Sequence, residues 1–492
     1  MKGERRTMKE EKKSTEGTWI RVLSDKEIQT IHERSLEVLE KTGVEVEHKK
    51  GLKVLGDAGA KVDMKAKRAR IPRSLVKRCL KTVPEKFVLG ARNPTKECHI
   101  ARGNLPYSRN GGGADFTLDL ETGQFRPLML ADVRSYFRLM DGLDGISFIA
   151  PVFGQDMPVI GRDILMLREA FAHTDKHIHL RAYSGKSLKS MFKMAEIVAG
   201  GKKALKQCPL VSLLEAPISP LKFLDVTVDA LWLCGEYGIP LDVCVMPISG
   251  GTGPMTMAGN VVLFNAEFLG GVVLSQLVHP GAPLQYAPRP MIMDMSTGFS
   301  LAGSIEGGIM AVAGAQMAHH YDVPVSIHGP WTDSMSHDGQ STFERTYLTF
   351  LVAFAGANVL VGAGMIQESL VTSHEQLVID DEVCRTVVRA LEGFKVDEER
   401  LGLDAIDRVG PGGNFLADPH TLQFLRGERY TPRLLYRNSR EAWEAAGSKD
   451  FEERAKMRAR EILRDHRPNP LPEDKGKALD DFVKKALQDL EK

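Results

Sequence analysis

The sequence predicts a parallel α/β fold, a (β/α)8 TIM barrel with extensions at both ends, and three observations carry that prediction. Between about residues 130 and 395, short apolar runs alternate with helix-length segments. The runs are continuously apolar rather than alternating, as strands covered on both faces must be. Every connection between them holds a helix, so the strands run parallel with right-handed crossovers.

The expected strands are 146–152, 177–182, 210–215, 241–246, 284–287, 323–328 and 358–362, with an eighth at 105–110 just before the first helix. The expected helices between them are 131–143, 185–198, 221–237, 257–278, 304–321 and 340–355. Eight parallel strands with helices between them close into a barrel. A doubly wound open sheet is the runner-up, but no dinucleotide fingerprint follows an early strand.

Around this region, residues 1–17 read as a charged, disordered tail, lacking the apolar stretch that a signal peptide needs. Residues 18–104 form an N-terminal extension. Ser24 opens a helical pattern ending at Gly43, Pro72 opens a second, and short strands follow, with a hairpin turn at Asp119–Gly123 just beyond. The barrel is placed at 105–395 and a helical C-terminal extension at 396–492. The uncharged stretch 346–367 is long enough to span a bilayer, yet Ala355-Gly356-Ala357-Asn358 stops a helix inside it and a strand-like run follows. A buried helix feeding a buried strand is expected there.

The 492 residues carry 65 Lys plus Arg against 64 Asp plus Glu, a net charge of +1, which provides no global field for nucleic acid. Six scattered cysteines without zinc spacing predict no metal site and a reducing, cytoplasmic setting.

In a barrel the chemistry gathers where strands end. Tyr107, Tyr183, Tyr286 and Trp331 fall at expected strand ends, beside the acids Glu215 and Asp333. Aromatic faces and carboxylates at one mouth suit a desolvated cation, and Arg289 or Arg109 suits a carboxylate on the same ligand. The plainer reading keeps the tyrosines as half-buried strand-end residues and the acids as ion pairs across the barrel top. His328, His337 and His374 complete the candidates. A lone strand-end histidine such as His328 is more often a satisfied core group than a catalyst, and Ser373 with Gln376 forms a capping box that leaves His374 free to face the mouth. Glu215, His328 and Asp333 are the candidate catalytic groups.

The block Gly329-Pro330-Trp331-Thr332-Asp333-Ser334, with Asp338-Gly339-Gln340 and Glu344, resembles the trimethylamine methyltransferase family. So do Gly362-Ala363-Gly364-Met365, Glu375-Gln376-Leu377-Val378-Ile379-Asp380 and Pro411-Gly412-Gly413-Asn414-Phe415-Leu416. The resemblance implies a barrel that moves a methyl group from a methylated amine to the cobalt of a small corrinoid-binding partner protein. The cobalamin would be supplied by that partner rather than held tightly by this chain. Only standard residues are present, which resembles the non-pyrrolysine branch acting on quaternary amines such as glycine betaine. Tyr107, Tyr183, Tyr286, Arg289, Trp331, His337, Gln340 and His374 are the expected substrate contacts. A homo-oligomer is also expected, with no membrane or nucleic-acid partner. Two other classes stay open: a non-catalytic binder of quaternary amines, and an unrelated barrel lyase or isomerase using Glu215 and His328 as acid and base.

Overall fold

The computed structural model describes residues 20–181 and 183–490. The expected tail at 1–17, and Ala182 at the end of one expected strand, lie outside the described residues. The chain is an α/β fold. Its central strands are β1 Tyr107–Asn110, β2 Ile178–Leu180, β3 Val211–Glu215, β4 Leu241–Val245, β5 Leu284–Pro288, β6 Ser326–His328 and β7 Val359–Ala363. The intervening helices are α1 Leu130–Gly142, α2 Arg162–His173, α3 Gly185–Ala199, α4 Asp225–Tyr237, α5 Met257–Gln276, α6 Ile305–His320 and α7 Gly339–Phe354, with α8 His374–Glu392 after β7.

All the pairings among these strands are parallel. One group runs β2–β3–β4–β5 and another β6–β7–β1. Single parallel bridges join the groups at both ends. Tyr286 of β5 meets Val325, while Arg109 of β1 meets Phe148 and Ile149 meets Ile178 of β2. The expected strand 146–152 therefore contributes only isolated bridges. Asn110 reinforces this seam, since its side-chain amide donates to Ala150 O at 2.8 Å and accepts from Ala150 N at 2.7 Å.

The sequence reading passes over α2, and it starts the 221–237 helix too early. Lys222 and Phe223 instead pair with an N-terminal strand, Val44–Val46, and α4 begins at Asp225. That N-terminal strand belongs to a four-stranded sheet which the expected helical pair does not include. Its members Lys61–Asp63 and Arg68–Arg70 span one side-chain repeat each and carry charged ends, too short to show a period. The expected helices are there: Asp25–Glu37 starts with a Ser24/Glu27 capping box, and Arg73–Leu80 follows Pro72. Gly43 is needed where the first ends, because its φ is +75° and a Cβ would lie 2.4 Å from Ala69 O.

The stretch 346–367 divides into α7 and β7. Helix α5 is the one helix among the described residues long and apolar enough to cross a membrane, and 78% of its apolar window is buried inside the protein. It is apolar all round because it is enclosed on all sides. The C-terminal helices α9 Phe451–Asp465 and α10 Glu473–Leu490 pack on α8 and α1, and on α3 and α2 respectively.

Candidate active site

A cavity of about 260 Å³ opens where the central strands end. Strand periodicity decides much of what reaches it, because neighbouring residues point to opposite faces, although His179, Leu180 and Arg181 all line it where β2 ends. Arg109 of β1, His179 of β2 and Cys244 of β4 form its base, with Arg289 just past β5 and His328 closing β6. Phe153, Met246 and Trp331 form its walls, and Gly111 to Gly113 with Glu368 and Ser369 its upper edge.

The base carries more positive than negative charge. Arg289 donates from Nη1 to Ser326 O at 2.9 Å and from Nη2 to Ser326 Oγ at 3.3 Å. It stands 3.6 Å from the buried carboxylate of Asp242. Arg109 donates from Nη1 to Asn110 O at 2.9 Å, and its buried Nε has no hydrogen-bond partner. No ion pair to Arg109 occurs among the described residues. Burial, with the Arg289 charge adding to it, pushes the Arg109 guanidinium down to about 9. Burial raises Asp242. Two buried cations thus face one reluctant anion.

The histidines here are neutral. Burial and then the two arginine charges hold His328 well below the usual imidazole range, and its Nδ1 is buried and unpartnered. Its ring meets Trp331 edge-on, with centroids 3.7 Å apart at 70°. Trp331 in turn donates Nε1–H to Ser369 Oγ at 3.1 Å. Burial likewise lowers His179, whose Nδ1 contacts Ser212 Oγ at 2.7 Å.

Of the sequence candidates, the structure brings Arg109, His328, Arg289 and Trp331 together at this cavity. Tyr183 is exposed at its rim, its ring 5.7 Å from that of Phe153. The others lie elsewhere, and each placement has a local cause. Tyr107 opens β1 rather than ending it, and packs beside Phe87 and Ile100 with its hydroxyl accepting from His99 N at 3.2 Å. Glu215 is out of phase with the cavity-lining Leu214, so it faces α4, where Thr227 donates to it at 3.1 Å. Tyr286 also points outward, stacked on Phe268 of α5 at 3.9 Å and donating to Asn265 Oδ1 at 3.2 Å.

Asp333 fastens a neighbouring loop, accepting from Ala302 N at 2.7 Å and Gly303 N at 2.9 Å. His337 bridges Ser373 Oγ and Glu452, at the edge of an open groove lined by Phe343 and Phe451. Gln340 is exposed on the first turn of α7 and donates to Glu344 at 2.9 Å. His374 is buried against α1, with Nε2 2.8 Å from Ser135 Oγ. Glu215 and His328 therefore do not face one substrate as an acid and base pair.

His179, Asp242 and Cys244 are not among the strand-end candidates. Their signal is a period-two polar pattern inside apolar strands, His177-Ile178-His179-Leu180 and Leu241-Asp242-Val243-Cys244. Glu368 belongs to the mouth residues but not to the chosen candidates.

Comparison with known proteins settles the family. The family model described as trimethylamine methyltransferase (MTTB) matches residues 2–490. This chain belongs to that family. It is 35% identical over 469 residues to a trimethylamine methyltransferase MttB of Desulfitobacterium hafniense, covering 95% of this chain and 94% of that protein. It is 31% identical to an MttB of Methanosarcina barkeri, covering 96% of each. It is also 31% identical to a glycine betaine methyltransferase of Desulfitobacterium hafniense, covering 94% of this chain and 96% of that one. Among solved structures, the Methanosarcina barkeri monomethylamine methyltransferase MtmB aligns over 95% of this chain with a TM-score of 0.50 at 12% identity, a likeness of fold alone. The chain is a methyltransferase of this family, a non-pyrrolysine member.

Proposed function

We propose that this methyltransferase takes a methyl group from a carboxylated quaternary ammonium of the glycine betaine type and passes it to the cobalt of a corrinoid-binding partner protein. We read the parallel circuit of β1, the 148–149 segment and β2 to β7 as the (β/α)8 barrel that the sequence predicts. The observation that carries the substrate reading is the surplus cation at the cavity base. Arg109 and Arg289 are buried with Asp242 as the acid facing them, and a ligand carboxylate would complete their hydrogen bonds. Trp331 and Phe153 then offer aromatic faces to the ligand's methylated nitrogen.

The chemistry asks little proton transfer of the protein. When the N–CH3 bond breaks, its electron pair stays on nitrogen and a neutral amine leaves, while the new carbon–cobalt bond forms from the Co(I) pair. A neutral His328 fits that requirement, since an uncharged imidazole is not a proton donor to a leaving group in the way an imidazolium is. The residues around it orient the substrate so that one methyl points out of the mouth. The rim supports a partner docking there: Val159, Ile160, Met255, Met295, Phe299 and Met335 are exposed on loops that follow the strands. Cys79, Cys208, Cys234, Cys244 and Cys384 are thiols rather than disulfides, which supports a cytoplasmic setting.

The test is to mix the protein with reduced corrinoid and glycine betaine and follow the visible spectrum. Methylated corrinoid and dimethylglycine should accumulate together. Transfer from choline or trimethylamine, with none from betaine, carnitine or proline betaine, would overturn the carboxylate part of the reading. A binder with the same cavity but no catalysis would show affinity for betaine and a flat spectrum.

A further inference from the structure

Three residues in succession at the cavity mouth, Gln367, Glu368 and Ser369, have left-handed backbones, with φ of 49°, 53° and 77°. None is glycine, and each such residue is costly on its own. The surrounding chain holds them in place. Gln367 N donates to Ser334 O at 3.0 Å and Glu368 N to Thr332 O at 3.1 Å, while Trp331 fixes Ser369 through its indole N–H. The effect of the turn is to set the Glu368 side chain at the upper edge of the cavity, where Ser300 Oγ donates to both of its oxygens at 3.0 and 3.1 Å. Among the described residues that line the cavity, Glu368 is the only acid.

We propose that Glu368 is the residue that selects a cationic over an uncharged end of the substrate, in the cavity that the arginine pair also lines. This rests on the betaine reading above and assigns the group that meets the nitrogen. The acids expected for that work, Glu215 and Asp333, are committed to Thr227 and to the 302–303 backbone. The positive charge on nitrogen disappears as the methyl departs, so a carboxylate close to it holds the substrate more firmly than the transition state. Sharing its oxygens with Ser300 softens that hold. A residue in this role lowers KM without raising kcat.

The experiment measures binding of glycine betaine and of its carbon isostere 3,3-dimethylbutanoate, which keeps the carboxylate but has an uncharged tert-butyl end, by calorimetry on the whole chain. The wild type should prefer betaine by about tenfold or more. Glu368→Gln should bring the two within about twofold, and in turnover it should raise KM without lowering kcat. Ser300→Ala, which leaves the strained turn intact, should shift the preference in the same pair of titrations and provides a second variant should Glu368→Gln misfold. An undiminished preference for betaine in Glu368→Gln overturns this assignment and leaves the betaine reading standing. A wild type that binds neither betaine nor tetramethylammonium overturns both.

Discussion

The protein buries arginine in two ways, and the contrast separates architecture from function. Arg345 of α7 is fully enclosed and meets Asp380 of α8 at 2.6 Å. Arg345 also donates to Pro330 O at 2.9 Å, and Asp380 accepts from Gly364 N at 2.6 Å and from Gln376 at 3.1 Å. That pair is matched one to one and ties together the two loops that carry Trp331 and Glu368. Each site leaves one buried guanidinium nitrogen unpartnered, Arg345 Nη2 and Arg109 Nε, so the difference lies in the charge count: at the cavity base Arg109 and Arg289 share one carboxylate, 3.6 Å from the nearer of them. Charge balance marks the first site as a clamp, and on the reading proposed above the second is where a ligand completes the electrostatics.

The largest effect should come from unbalancing the clamp. Asp380→Asn leaves a buried guanidinium without its anion and should cost about 3–5 kcal/mol of stability, read from urea unfolding. At the base the order reverses. Arg109→Met should weaken betaine binding by roughly a hundredfold, about 2–3 kcal/mol, while the unfolding midpoint stays level or rises. A loss of stability there comparable to the clamp's would erase the distinction between the two sites.

Residues that face away from the cavity set the background for both. Tyr286→Phe should cost about 1 kcal/mol for its lost hydrogen bond to Asn265 and leave turnover unchanged. Glu215→Gln acts in the opposite direction, and only as the pH rises. Burial pushes the Glu215 carboxyl from its ordinary 4.5 up to about 7. Its folded pKa is raised, so the wild type loses stability as pH rises between those values. The glutamine variant should therefore gain on the wild type between about pH 4.5 and 7 and hold a constant advantage above, measured by unfolding at several pH values, with activity retained.

The alternation of strands and helices was legible because continuous apolar runs and helix caps are local signals. Seven of the eight expected strands appear as strands, and the eighth, 146–152, falls to single bridges because Asn110 rather than a full ladder joins it to β1. The site was legible only where an end-of-strand residue also faced inward. Arg289, His328 and Trp331 meet both conditions. Glu215 and Tyr286 meet only the first, because a one-residue step turns a side chain from the interior to the helix layer. Tyr107 depended on knowing which end of β1 is the mouth. Glu368 owes its position to backbone conformations for which Gln, Glu and Ser give no warning in a sequence.

Strand pairing is thinnest along 148–149, between the end of α1 and the start of α2. Against that same flank the chain lays its last two long helices, with Ala455, Ala459 and Ile462 of α9 and Leu479, Val483 and Ala486 of α10 buried beneath them. The C-terminal extension is in this sense a splint. From outside, it braces the helices α1 and α2 on either side of that thinly paired segment, so the far end of the polypeptide backs the flank of the cavity without lining it.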